Sequence, residues 1–282
     1  MKTRTFLLVI CLFMLNLNNS YAQDIYWFQS IDFSKELAKE KNKLIIADFW
    51  ASWCGPCLMM DKKVWSNNNI SALAQDFVCM KFDLSYGWQN ASPYTVDRIP
   101  TIMILDYRGM ILYTITSYVG QSELQEILSS FPADVSELYQ ALEACDQDKK
   151  NHTSLVNGAS AYQNYAMQTI SPAKEIFIKE SNKLLKKAQK LSDKQKDYAC
   201  SERVRLMKAH NQIISGNYEK GSDAVIDQLD NIGEENLSLA LYILVTAFLE
   251  GGNKDLARKY YNELHALSGG DAFVQLVQNE FE

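Results

Sequence analysis

The sequence predicts a small α/β domain followed by an all-helical region. Three observations lead there. From residue 24 to about 131, short apolar runs rich in β-formers alternate with amphipathic stretches. Pro132-Ala133-Asp134 then breaks the chain, and from Val135 to the end nearly every segment has helical period. A chain of 282 residues, 47% hydrophobic and 22% charged, is long enough for two ordinary domains and excludes wholesale disorder. The formal net charge is -6 and no segment is a basic arm, which argues against a nucleic-acid partner.

The first residues are expected to be removed. Lys2 and Arg4 precede an apolar run over 6–15, and Ser20-Tyr21-Ala22 supplies small residues for cleavage before Gln23. The run is shorter than the roughly 20 residues a membrane span needs. Cys11 lies inside the run, which speaks against lipidation. Residues 1–22 are therefore read as a signal peptide, 23–131 as the α/β domain and 132–282 as the helical domain. Loss of Lys2 and Arg4 takes the charge from 28 − 34 = -6 to 26 − 34 = -8. Localisation in the periplasm is expected.

Within the α/β domain, 31–41 reads as an amphipathic helix and 44–50 as a buried strand. Helices follow over 54–65 and 70–76, and strands over 78–84 and 101–105. Tyr107-Arg108-Gly109 turns the chain into a hairpin strand over 111–115, and a helix over 122–131 closes the domain. The helical domain reads as 135–146, 154–169, 172–191, 196–215, 218–229, 237–250, 254–267 and 271–280. Gly216-Asn217 and Gly252-Asn253 each separate two helices and lie 36 residues apart. With Leu244, Phe248, Ala257 and Tyr261, the second unit resembles a tetratricopeptide repeat, a family with a period of about 34 residues. The first unit is degenerate, with Gly221 where that motif has alanine. The alternative is a plain helical bundle. The domain offers no catalytic cluster and is expected to be a separable unit that holds a protein partner.

Five cysteines follow the leader: Cys54, Cys57, Cys79, Cys145 and Cys200. That is too sparse for a disulfide scaffold. One close pair plus scattered singles suggests one working dithiol. In Cys54-Gly55-Pro56-Cys57 the first cysteine sits at a helix start, where free N–H groups and the helix dipole stabilise a thiolate. Cys54 is thus the expected nucleophile. Cys57, one turn on and more buried, is expected to resolve the mixed disulfide. Gly55 and Pro56 keep the sulfurs close without a charged neighbour. Cys79 reads as a buried strand residue, and Cys145 and Cys200 either pair or remain free thiols.

Asp48-Phe49-Trp50-Ala51-Ser52-Trp53-Cys54-Gly55-Pro56-Cys57 closely resembles the thioredoxin family, over about 24–131. The resemblance implies the thioredoxin fold. It places Asp48 on the buried acid beneath the second cysteine and Lys81 on the lysine that pairs with that acid. Trp50 and Trp53 fall on the flanking tryptophans, and Gly120 on the glycine before the last helix. Ile99-Pro100-Thr101 falls on the loop whose cis-proline faces the dithiol, leaving the Ile99 backbone free for an extended substrate strand. Met60 to Asn67 followed by Ile70 is similar to the subgroup containing the C-terminal periplasmic domain of the transmembrane thiol:disulfide interchange reductase. Leu58 departs from the basic residue common after the second cysteine. Residues 86–93 stand where a short helix is usual.

The function expected is thiol–disulfide exchange, reducing protein disulfides with electrons from a membrane donor. The Gly-Pro dipeptide, with no histidine between the cysteines, favours the reducing end. No cofactor or metal is expected. Zinc would need more ligands than the dithiol offers, since His152, His210 and His265 all lie in the helical domain. The rival is a binding scaffold or a copper-handling module, with Met59 and Met60 as soft ligands beside the dithiol.

Overall fold

A computed structural model describes residues 24–85, 94–148, 150–267 and 270–281. The expected leader at 1–22 and the segment 86–93 lie outside the described residues. Helix α1 (Ile31–Lys41) is capped by Ser30, whose side chain accepts from the Phe33 N–H. It ends on Asn42 in the left-handed region and returns into β1 (Leu44–Trp50). The strands β2 (Phe77–Asp83), β3 (Thr101–Leu105) and β4 (Ile111–Thr116) complete a sheet of order β2-β1-β3-β4. Only β1 and β2 are parallel, and β3 and β4 form the expected hairpin.

Strand alternation decides which residues reach the site. Ile45, Ala47 and Phe49 face the α1 side with Ala38, Val78, Met80 and Met103. Leu44 and Ile46 face the opposite side. There they meet α2 (Gly55–Met60), α3 (Asn68–Ala74) and α4 (Gln121–Ser129) through Met60, Ile70 and Leu124. Asp48 shares their parity, so the strand drives a carboxyl into this second core.

The helix expected over 54–65 is not one regular helix. α2 gives way at Met60 to a π-helical turn over Asp61–Trp65. The buried residues Cys57, Met60 and Val64 keep ordinary helical spacing across this turn, so periodicity does not reveal it.

The helical region comprises α5 (Ser136–Gln147), α6 (His152–Gln168), α7 (Ala173–Gln195), α8 (Tyr198–Ile214), α9 (Tyr218–Ile226), α10 (Glu234–Glu250), α11 (Lys254–His265) and α12 (Asp271–Val277). It does not begin as an isolated body at Pro132. Tyr139, Leu142, Tyr162 and Phe177 of α5–α7 join Leu44, Ile104 and Phe131 in one apolar core. Cys145, Leu155, Ala159 and Leu185, on the same three helices, belong to a second core with α8–α12. Each of α5, α6 and α7 therefore has a portion in each core.

Polar contacts pin the junction. The Tyr139 hydroxyl donates to the Lys43 carbonyl at 2.8 Å and accepts from the Tyr107 N–H at 3.1 Å. Arg108 donates to Asp106 at 2.7 Å and to the Tyr162 hydroxyl at 3.1 Å. Lys43 and Tyr107 mark the end of the sheet opposite the one from which the chain enters α2. A strand of β1's length separates these ends by roughly 20 Å.

The two Gly-Asn turns each join a helical hairpin, α8–α9 and α10–α11. Gly216 and Gly252 adopt φ of 85° and 79°, which glycine reaches without strain. Gly221 departs from alanine for a visible reason. A Cβ there would lie 2.4 Å from Ile213 Cγ1 and 3.0 Å from the Ala209 carbonyl oxygen, so α8 and α9 approach more closely than alanine allows.

Candidate active site

Cys54 and Cys57 are joined in a disulfide, S–S 2.06 Å, at the start of α2. Cys54 is the N-cap, and its Sγ accepts from the Cys57 N–H at 3.2 Å. The position between cap and cysteine that most often supplies a second donor is Pro56, which has no N–H. The helix start therefore stabilises charge on Cys54 with one directed hydrogen bond plus the dipole. Trp50 and Ile99 pack against the pair, beside Ala51. Cys54 is 5% exposed and Cys57 2%, so in the oxidised form the expected contrast between an open and a buried sulfur is small. The neighbouring exposed surface comes from Trp53, 59% exposed, with Leu58 and Met59. A Cβ at Gly55 would meet nothing within 4 Å, so the space over α2's start is open. The Ile99–Pro100 peptide is cis, as expected. Among the described residues, the Ile99 backbone makes no main-chain hydrogen bond. The peptide before Pro172 is also cis, which nothing in the sequence singled out.

Asp48 is buried on β1 and opposite Lys81 in the parallel register. Its Oδ2 accepts from the Trp65 indole N–H at 3.1 Å and lies 3.6 Å from Lys81 Nζ. Oδ1 has no hydrogen-bond partner among the described residues. Burial raises the Asp48 carboxyl to about 6, with Lys81 pulling it back and Asp61 pushing it up. The expected Asp48–Lys81 pair is thus a shared arrangement. Lys81 hydrogen-bonds Asp61 more closely than it approaches Asp48, and its ammonium lies over Trp27 and Trp50 at 4.9 and 5.2 Å. Asp61, Trp65 and Trp27 were not legible as site residues. The two on α2's extension reach Asp48 and Lys81 from the π turn.

The remaining sequence candidates divide. Gly120 caps α4, but its φ of -76° and open surroundings place no demand for glycine there. Met60 is buried in the core, whereas Met59 is exposed, so the two do not form a pair of thioethers at the dithiol. Cys79 is buried in β2 and donates to the Ala74 carbonyl, and burial pushes its thiol up to about 12. Cys145 and Cys200 are both free thiols.

Comparison with known proteins covers the α/β part. Residues 25–132 match the family model described as Thioredoxin. Thioredoxin of Bacillus subtilis (strain 168) is 28% identical over 92 residues, 33% of this chain and 86% of that one. Thioredoxin of Listeria monocytogenes serovar 1/2a (strain ATCC BAA-679 / EGD-e) is 31% identical over 88 residues, 31% of this chain and 82% of its own. Thioredoxin of Rickettsia typhi (strain ATCC VR-144 / Wilmington) is 39% identical over 75 residues, 26% and 68% of the two chains. A solved structure titled DsbH Oxidoreductase is similar at 20% identity and TM-score 0.33, over 40% of this chain and 91% of that chain, too distant to carry an argument.

Proposed function

The chain belongs to the thioredoxin family, and we propose that this thiol–disulfide oxidoreductase works as a reductase of protein disulfides in the periplasm. The observation that carries the reducing direction is the sparse stabilisation of Cys54. One N–H donor, no second donor from Pro56 and no charged residue between the cysteines leave its thiolate only moderately favoured. Strong oxidants depend on a heavily stabilised thiolate.

In the proposed cycle, Cys54 Sγ⁻ attacks one sulfur of a substrate disulfide and expels the other as thiolate. Cys57 then loses its proton and attacks Cys54 Sγ, closing the 2.06 Å disulfide and releasing the second substrate thiolate. Two electrons pass from the dithiol to the substrate. Asp48 is the proposed proton acceptor, since a carboxyl near 6 exchanges protons close to neutral pH. Trp53, Gly55 and the Ile99 backbone form the open surface to which an extended substrate segment is assigned. Recharging needs a dithiol donor, which we assign to a membrane electron carrier reached through export by residues 1–22. No helix among the described residues is long and apolar enough to cross a membrane. The helical region is read as the part that holds a protein partner. In support, a groove of about 750 Å³ lies between the two hairpins, walled by Tyr218, Phe248 and Asn253.

The reduction potential tests the direction. A value near about −270 mV supports the reductase, whereas one near about −120 mV identifies an oxidant. Cys54→Ser should abolish insulin reduction. Failure of the unaltered protein to reduce insulin would leave the scaffold reading.

A further inference from the structure

We propose that His152, Asp197 and Cys200 form a site for a zinc-class divalent cation in the helical region, remote in sequence from the dithiol. His152 opens α6, Asp197 is the N-cap of α8, and Cys200 lies three residues further on. One ligand atom from each lies within 4.8 Å of the other two, and all three residues are half-buried. His152 Nε2 is 3.3 Å from Asp197 Oδ2. A tetrahedral ion with bonds of about 2.0–2.3 Å holds its ligand atoms roughly 3.5 Å apart, so the set must close by at most about 1.3 Å.

Outer contacts aim the ligands. Asp197 Oδ1 accepts from the Cys200 N–H at 2.9 Å, which leaves Oδ2 turned to the histidine. His152 Nδ1 lies 3.4 Å from the Thr153 hydroxyl, so Nε2 is the inward nitrogen. Asp197 and Cys200 also wall a cleft of about 330 Å³ with Asn157, Arg203 and Glu235. That cleft gives an ion its entry and room for a water as fourth ligand. Arg203 is the opposing charge there. An imidazole, a carboxylate and a thiol suit zinc over calcium or magnesium. On binding, the Cys200 thiol gives its proton to solvent and forms a Zn–S bond, and the His152 Nε2 lone pair supplies the nitrogen ligand.

The test uses the full chain with the Cys54–Cys57 disulfide intact, so that those sulfurs cannot ligate. Titration with Co²⁺ should give one equivalent per chain with a thiolate-to-cobalt charge-transfer band. Zn²⁺ should displace the Co²⁺ and slow maleimide labelling of Cys200 at least tenfold, with labelling of Cys145 unchanged. Cys200→Ser should remove the band, and His152→Gln should weaken binding at least tenfold. No thiolate band in the unaltered protein, a band that survives Cys200→Ser, or Cys200 labelling indifferent to Zn²⁺ would each overturn the proposal.

Discussion

Replacing Asp48 by asparagine should alter how the stability of the oxidised protein responds to pH. In the unfolded chain the carboxyl titrates near 3.8, and in the fold burial raises it to about 6. The folded state therefore binds that proton more tightly, and ionisation opposes folding. The penalty is absent well below pH 3.8, grows as pH rises through the interval and is complete above about 6. Its full size is (6 − 3.8) × 1.36, about 3 kcal/mol. Roughly 0.5 kcal/mol of this is present at pH 4, leaving about 2.5 kcal/mol to develop by pH 8. Asparagine has no such titration and keeps an acceptor for the Trp65 indole. Its amide also places a donor near the position where Oδ1 has no partner, a pH-independent cost of about 1–3 kcal/mol. The absolute stability at pH 8 is thus a near balance, whereas the change with pH is large. Urea unfolding of both proteins at pH 4, 6 and 8, disulfide intact, isolates that change. The difference in unfolding free energy should move by about 2.5 kcal/mol in favour of Asp48→Asn between pH 4 and 8. A difference constant to within about 0.5 kcal/mol would refute a raised carboxyl at this position.

In the same Asp48→Asn protein, stopped-flow reduction should show the mixed disulfide accumulating, because resolution by Cys57 slows more than its formation by Cys54. Unchanged kinetics across neutral pH would make Asp48 purely structural. After reduction, brief iodoacetamide treatment and mass mapping should find Cys54 modified first and Cys79, buried with a thiol near 12, modified last. Labelling led by Cys57 or Cys79 would contradict the assignment of the nucleophile. Tyr139→Phe removes two hydrogen bonds at the junction and should lower stability by about 1–3 kcal/mol, with insulin reduction unchanged. Gly221→Ala should destabilise by about 1–3 kcal/mol despite alanine's better helix propensity, since its Cβ collides with Ile213. A gain in melting temperature would show that the hairpin can open.

The parts of the site that the sequence made legible are those encoded in short strings. Cys54-Gly55-Pro56-Cys57 places two sulfurs one helical turn apart, and Ile99-Pro100 marks the facing loop. Strand alternation alone fixes the parity of Asp48. Asp61 and Trp65 were hidden because their reach depends on the π turn, across which Cys57, Met60 and Val64 still read as one continuous helical face. Pro132 was a sound signal that the sheet regime ends, yet a breaker reports local backbone preference only. It says nothing of where Tyr139, Tyr162 and Phe177 bury their rings, which is on the sheet's own core. His152 and Cys200 read as scattered singles because only the packing of α6 beside α8 brings them together.

The three helices rooted in both cores also determine how distance is controlled in this molecule. A flexible tether lets two sites sample many separations, and its length sets their mutual concentration. Here α7, 23 residues long, is a rod of about 35 Å with Phe177 seated against the sheet's core and Leu185 in the second. A tilt of about 5° at Phe177, roughly 27 Å from the helix end, moves that end through about 2 Å. Any partner held by α8–α12 is consequently presented at a position fixed by helix packing. A methyl group gained or lost under Phe177 would re-aim that whole arm without touching either cysteine.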